Sequence, residues 1–250
     1  MGAAEIAAIT AAGMAAGAIN TLVGSGTLIT FPVLLAFGYS PVTANVSNTV
    51  GLVPGSVTGS IGYRRELEGE SKRTLRFALA SVLGGITGAV LLLVLPEAAF
   101  EAIVPVFIAI ALVSVVLQPR LDALVAERRP PPDAHGTGLP RVLVYFAGIY
   151  GGYFGAAQGI LLLAILGLAL PDDLQRVNAL KNVLAGVVNG VAAVVFIVVA
   201  DVAWGPAALI AAGSIVGAQL AARYGRRLSP RALRAVVVAV GIAAIVQLVA

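Results

Sequence analysis

Gly62-Tyr63-Arg64-Arg65-Glu66-Leu67-Glu68-Gly69-Glu70-Ser71-Lys72-Arg73-Thr74-Leu75-Arg76 is a basic island between two long apolar runs without Lys or Arg. The remaining basic residues follow in clusters. Arg120, Arg128, Arg129 and Arg141 come next, then Arg176 and Lys181, then Arg223, Arg226, Arg227, Arg231 and Arg234. Apolar runs lie between these clusters. The clusters occupy one alternate set of connections and leave the other set without a basic residue. Cytoplasmic loops of membrane proteins carry such a Lys/Arg excess, so the pattern predicts a polytopic, all-α membrane protein and places the basic connections inside.

Composition agrees. The chain is 59% hydrophobic and 11% charged, against about 25% charged residues in an ordinary soluble domain. The net charge of +4 follows membrane topology, with no nucleic-acid motif beside it; anionic headgroups are the partner it fits. Cysteine is absent, which excludes disulfides, thiol chemistry and Cys-ligated metal. The one histidine, His135, sits in a Pro-rich stretch and reads as solvated surface. No cofactor or metal is expected. Residues 2–8 hold Glu5 and no Lys or Arg, so the first apolar run is expected to stay as a membrane helix and not to be cleaved as a signal peptide.

Ten apolar segments can be drawn, at about 4–23, 26–37, 42–62, 75–95, 100–117, 140–157, 159–170, 177–200, 203–223 and 231–249. A span needs roughly 20 residues. Segments 26–37 and 159–170 are too short, and each follows a long one across a polar, Gly-containing break: Gly24-Ser25-Gly26 and Gln158-Gly159. The polar stretch 118–139 joins a first half, 1–117, to a second half, 140–250, and each half has the same layout. Pairing Asn48 with Asn182 also pairs Gly17 with Gly151 and Leu28 with Leu162, while Gly26 meets Gly159 one position earlier. In the first half the connection after the third segment is basic. In the second half it is the connection after the fourth. That reversal predicts two halves of opposite orientation, the linker in the cytoplasm and both termini outside. A competing count takes each long–short pair as one crossing. It gives eight helices in parallel halves and sends Arg223 to the outer side.

A short segment that begins near the bilayer centre points its N-terminus at the midplane. Helix N-termini carry about half a positive charge and unpaired N–H groups, so two of them meeting there form an anion site. The alternative is that small residues at the breaks only let neighbours pack. The third segment of each half carries a polar face. Asn178, Lys181, Asn182 and Asn189 fall within an arc of about 100° at 100° per residue, and Asn45, Asn48, Thr49 and Ser56 group similarly. Such a face either bonds other helices or lines a path. Interhelical hydrogen bonds in membranes average only about 0.6 kcal/mol, which favours the path. Lys181 is the basic residue placed deepest in a helix, as an anion-attracting charge or a snorkelling one. The spacings Gly51-x-x-x-Gly55-x-x-x-Gly59, Gly84-x-x-x-Gly88, Gly186-x-x-x-Gly190 and Gly213-x-x-x-Gly217 read as close helix packing. No P-loop, G-x-S-x-G, H-E-x-x-H or intramembrane carboxylate pair is present, so an enzyme is not expected.

The run Asn20-Thr21-Leu22-Val23-Gly24-Ser25-Gly26-Thr27, then Pro32, then Ala44-Asn45-Val46-Ser47-Asn48-Thr49 resembles the first signature of the TauE/SafE sulfite exporter family. Val177-Asn178-Ala179-Leu180-Lys181-Asn182-Val183 with Asn189-Gly190 is similar to the second. The second break, Gly155-Ala156-Ala157-Gln158-Gly159, is poorer in glycine than that family's usual run. The resemblance implies a permease of the cytoplasmic membrane for sulfite, sulfonates or related small anions. Combined with the segment pattern, it predicts a midplane site between two inverted halves that alternate access. Ser25, Gly26 and Gly159 would offer backbone N–H groups. Asn48, Asn182 and Gln158 would offer side-chain donors, and Lys181 charge, with Asn20, Asn45 and Asn178 beside them. A passive anion channel with the same lining and a non-transporting assembly protein are the other readings. The expected partners are the anion and the lipid bilayer, and a homodimer is open to the chain.

Overall fold

The computed structural model describes residues 1–127 and 138–225, with 235, 237–243 and 245 in the last segment. His135 and the Pro-rich stretch lie outside the described residues. The chain is an all-α, polytopic membrane protein. Its helices are α1 (Ala3–Leu22), α2 (Thr27–Ala36), α3 (Pro41–Gly62), α4 (Ser71–Val94), α5 (Glu97–Glu127), α6 (Gly138–Tyr153), α7 (Gln158–Ala169), α8 (Leu174–Val199) and α9 (Trp204–Tyr224). A 3-10 turn, Arg64–Leu67, leads into α4, and residues 237–243 are helical within the expected tenth segment.

Five of these helices, α1, α4, α5, α8 and α9, are long and apolar enough to cross a bilayer. The short helices α2 and α7 fall at the two expected breaks, with 10 and 12 residues. The length of α3 suffices, but its sequence carries Asn45, Ser47, Asn48 and Thr49, all buried. Such a helix is stable at membrane depth only with protein around it. α3 packs against α1, α8 and α9. The fifth helix runs ten residues beyond the expected end at 117, through Pro119 to Glu127. Gln118 and Val125 are buried along that extension, and Val125 lies against Gly167 of α7. Counting polar residues missed a helix whose inner face stays packed, and Asp122 therefore sits on a helix and not in a linker.

Glycine contacts fix the relative directions of the helices. Gly51 abuts Ile210, Gly55 abuts Ser214 and Gly62 abuts Ala222, so α3 and α9 run parallel. The connections after α3 and after α9, both basic, therefore emerge at one end of the molecule. The eight-helix count would separate those two ends. Gly84 against Tyr145 and Gly88 against Ile149 make α4 and α6 parallel. Asn189 reaches Ser56, Gly186 lies by Ser56 and Ser60, and Tyr63 shares a cavity with Leu174 and Gln175. The equivalent helices α3 and α8 are thus antiparallel. The main packing pairs exchange with the halves: α1 on α9 answers α6 on α4, and α3 on α9 answers α8 on α4.

At the basic end an ion-pair cluster ties the halves together. Arg73 bonds Glu70 at 3.1 Å and Asp172 at 2.6 Å, Arg176 pairs with both acids, and its Nε donates to the Glu66 carbonyl. The Arg73–Asp172 pair is largely buried, and the desolvation of such a pair offsets much of its attraction, so packing supplies most of the hold. The packing rests on bare backbone. A Cβ on Gly88 would strike the Ile149 carbonyl, and one on Gly217 the Met14 carbonyl. The Gly186 and Gly190 pair differs from the expectation of close packing. A Cβ at Gly190 would meet nothing within 4 Å, and at Gly186 only ordinary contacts.

Gly88→Val and Gly217→Val are expected to lower the melting temperature in detergent, with overpacking costing about 1–3 kcal/mol or more. Gly190→Ala, in open space, is expected to leave it unchanged or raise it, since Ala is favoured over Gly in a helix by about 1 kcal/mol. Thermal melts of the three variants check this.

Candidate functional site

The two breaks are built alike. After α1, the N–H groups of Val23 and Gly24 both donate to the Ile19 carbonyl, and Gly24 has φ +90°. After α6, those of Phe154 and Gly155 both donate to the Tyr150 carbonyl, and Gly155 has φ +78°. A helix stopped this way needs a residue at positive φ, which glycine adopts without a Cβ penalty. Gly24 thus corresponds to Gly155, and Thr27 to Gln158, two residues away from the letter match of Gly26 with Gly159. The second break's shortage of glycine is met by Ala157, which takes φ 59° itself, a conformation that costs an L-residue about 1–2 kcal/mol. Phe154 fixes this break in a ring cluster, with Phe31 of α2 at 5.2 Å and Phe100 of α5 at 6.0 Å.

The breaks meet. The Gly159 N–H donates to the Gly24 carbonyl at 3.1 Å. The two α-carbons are so close that a Cβ on either glycine would overlap the other. Beside this contact lies a central cavity of about 30 Å³, bounded by Asn20, Thr21, Thr27, Ser56, Gln158, Asn182 and Asn189. That is room for roughly two waters at about 10–15 Å³ each. Its polar lining is amide and hydroxyl, and no charged side chain is among it.

The expected site residues fall into three groups, with Asn45 and Asn182 each belonging to two. Asn20, Gln158, Gly159 and Asn182 border the cavity. Gln158 is 3% exposed, and its amide Nε2 is buried without a hydrogen-bond partner among the described residues. Ser25, Gly26, Asn45 and Asn48 are close to the breaks but outside the lining. The N–H groups expected to face an anion are largely spent at home: Gly26 donates to Asn20 Oδ1 at 2.7 Å, and Gly159 to Gly24. Ser25 is buried, and its Oγ has no partner among the described residues. Asn48 donates to Thr27 Oγ1 at 3.3 Å and accepts from the Thr30 hydroxyl.

The third group caps helix ends across the halves. Asn45 of α3 donates to the carbonyl of Tyr153, the last residue of α6, at 2.9 Å. In the other half Asn182 of α8 donates to the Thr21 carbonyl of α1 at 3.2 Å, and Asn178 to the same oxygen at 3.5 Å. Lys181, 0% exposed, donates to the Asn20 carbonyl at 3.2 Å. A helix C-terminus presents unpaired carbonyls and a partial negative charge of about one half, which suits an ammonium. The charge expected at an anion's mouth is therefore turned toward the end of α1. The Asp122 carboxylate on α5 acts on it electrostatically. Asp122 is the group missed from sequence, because it was counted into the linker. It lines a second cavity of about 150 Å³ with Leu22, Tyr63, Gln118 and Asn178.

Thr21 has two amide donors on one carbonyl, so Asn178→Ala and Asn182→Ala are each expected to cost about 0.6 kcal/mol or less. The double variant strands the carbonyl and is expected to cost about 1–3 kcal/mol. Denaturation of single and double variants in detergent measures this excess over additivity.

The profile of the family described as "Sulfite exporter TauE/SafE" matches residues 9–248. A "Probable membrane transporter protein ORF9" of Sinorhizobium sp is 30% identical over 98% of this chain and 92% of its own length. The "Probable membrane transporter protein YfcA" of Escherichia coli K12 is 27% identical over 91% and 83% respectively, and a "Probable membrane transporter protein" of Haemophilus influenzae is 26% identical over 87% and 84%. No solved structure matches the chain. The chain belongs to the sulfite exporter TauE/SafE family, and the members named here are described as probable membrane transporter proteins.

Proposed function

We propose that this TauE/SafE member is a permease of the cytoplasmic membrane that moves a small anion, sulfite or an organosulfonate, through the central cavity. The observation that carries the reading is the Gln158 amide: a buried donor without a partner among the described residues, on a residue that lines a cavity formed where two broken helices touch. A buried unmade donor costs about 1–3 kcal/mol, and a bound oxyanion supplies the missing acceptor. Asn20, Asn182, Asn189, Thr27 and Ser56 surround it with further amides and hydroxyls. Uncharged donors bind an anion and still release it, which transport requires.

Two inverted halves fit the antiparallel α3 and α8 and the exchanged packing pairs. In that arrangement the basic end faces the cytoplasm and the N-terminus lies outside. Rocking of one half on the other alternates access. The small cavity favours alternating access over an open channel, since the space beside Gly24 and Gly159 holds only a water or two in this state.

Purified protein in liposomes is expected to give saturable sulfite or sulfoacetate uptake that accelerates when the same anion is loaded on the opposite side. Gln158→Leu is expected to lower uptake at limiting substrate about 10- to 100-fold, the value of a hydrogen bond to a charged group, with the melting temperature held. Uptake that never saturates and ignores the opposite side would favour a channel. Absence of flux for both anions with folded protein would overturn the sulfur assignment.

A further inference from the structure

The central cavity and the second cavity lie on either side of one structural feature. Thr21 and Asn182 border the first, while Leu22 and Asn178 border the second. Asn178 and Asn182 are one turn apart on α8, about 6 Å along its axis. Tyr63 and Gly225, the residues just beyond α3 and α9, also line the second cavity, so it is a vestibule at the basic end. What separates it from the central cavity is the last turn of α1.

That turn is held unequally compared with its counterpart. The end of α6 receives one cross-half donor, Asn45, and its break is pinned by the Phe154 ring cluster. The end of α1 receives three donors from one helix, Asn178, Lys181 and Asn182. Its own break residues are Val23, Gly24, Ser25 and Gly26, with no ring among them. Both junctions have buried apolar residues and share the Gly24–Gly159 contact; what distinguishes the end of α1 is that its grip on α8 is made of polar bonds, which water can replace.

We propose that the last turn of α1, clasped by Asn178, Lys181 and Asn182, is the inner gate between the central cavity and the vestibule. This rests on the reading of the central cavity as the transport site, and it assigns Lys181 to the gate and not to the anion. Opening carries α1 away from α8. Water in the vestibule, which Asp122 also lines, then takes over the Asn20 and Thr21 carbonyls and the ammonium.

The native chain has no cysteine, so Ala185→Cys, on the wall of the central cavity, is a clean reporter. Its labelling by a membrane-impermeant thiosulfonate is followed in inside-out vesicles, basic end outward, and in right-side-out vesicles. With native Lys181, and with Lys181→Arg, labelling from the basic end is expected to be slow. Lys181→Met is expected to speed it about tenfold, the effect of losing a charged hydrogen bond from the closed state, and to leave labelling from the other side unchanged or slower. The double variant Asn178→Ala, Asn182→Ala, which removes both donors to the Thr21 carbonyl, should act in the same direction and decides the matter alone if Lys181→Met does not fold. Unchanged labelling from the basic end overturns the gate, as does equal acceleration from both sides, which marks general loosening. Labelling needs no substrate, so a failed flux assay and a failed gate are separate results.

Discussion

A helix that stops inside apolar surroundings leaves carbonyls that neither lipid nor water can satisfy. This chain stops two helices that way, at Leu22 and at Tyr153, and the solution is reciprocal. The polar helix of each half reaches across to the broken helix of the other: Asn45 to Tyr153, and Asn178 and Asn182 to Thr21. Much else follows from that exchange. It sets α3 and α8 side by side in the centre, requires asparagine where a span would ordinarily carry leucine, and brings the two breaks into contact at Gly24 and Gly159. Neither half can satisfy its own ends, so the halves are obligate partners.

The same economy shapes the electrostatics. The expectation was a site made by opposed helix N-termini and a lysine. In the structure the N–H groups of Gly26 and Gly159 are engaged and Lys181 serves a helix end. What remains at the cavity is a neutral lining of amides and hydroxyls that includes Gln158. Dipoles held by a rigid frame stabilise a charge without the affinity of a fixed cation.

Much of this was legible in the residues because long apolar runs and arginine clusters have one physical reading. The segment count and both breaks came from composition and length alone. The Asn faces were visible as a helical period, but their targets were not: Thr21 lies far from Asn182 in the chain, and only folding shows which carbonyl is left unmet. The extension of α5 was hidden because Gln118, Pro119, Arg120 and Asp122 look like a loop, whereas Gln118 and Val125 stay on a buried face. Gly190 was misread for the opposite reason, since spacing signals close approach only when a neighbour is present.

α3 bears on how the protein is made. The helix is too polar to rank with the five apolar spans, and the helices that bury its polar face, α8 and α9, are synthesised after the whole first half. While the chain emerges, Asn45 lacks the Tyr153 carbonyl and Ser47 the Ala203 N–H that satisfy them in the finished fold. It follows that α3 is a reluctant passenger at the insertion machinery, and that it settles only when the second half arrives. Assembly is therefore ordered by the ribosome, and a chain cut off after its first half should be read by the cell as unfinished and cleared.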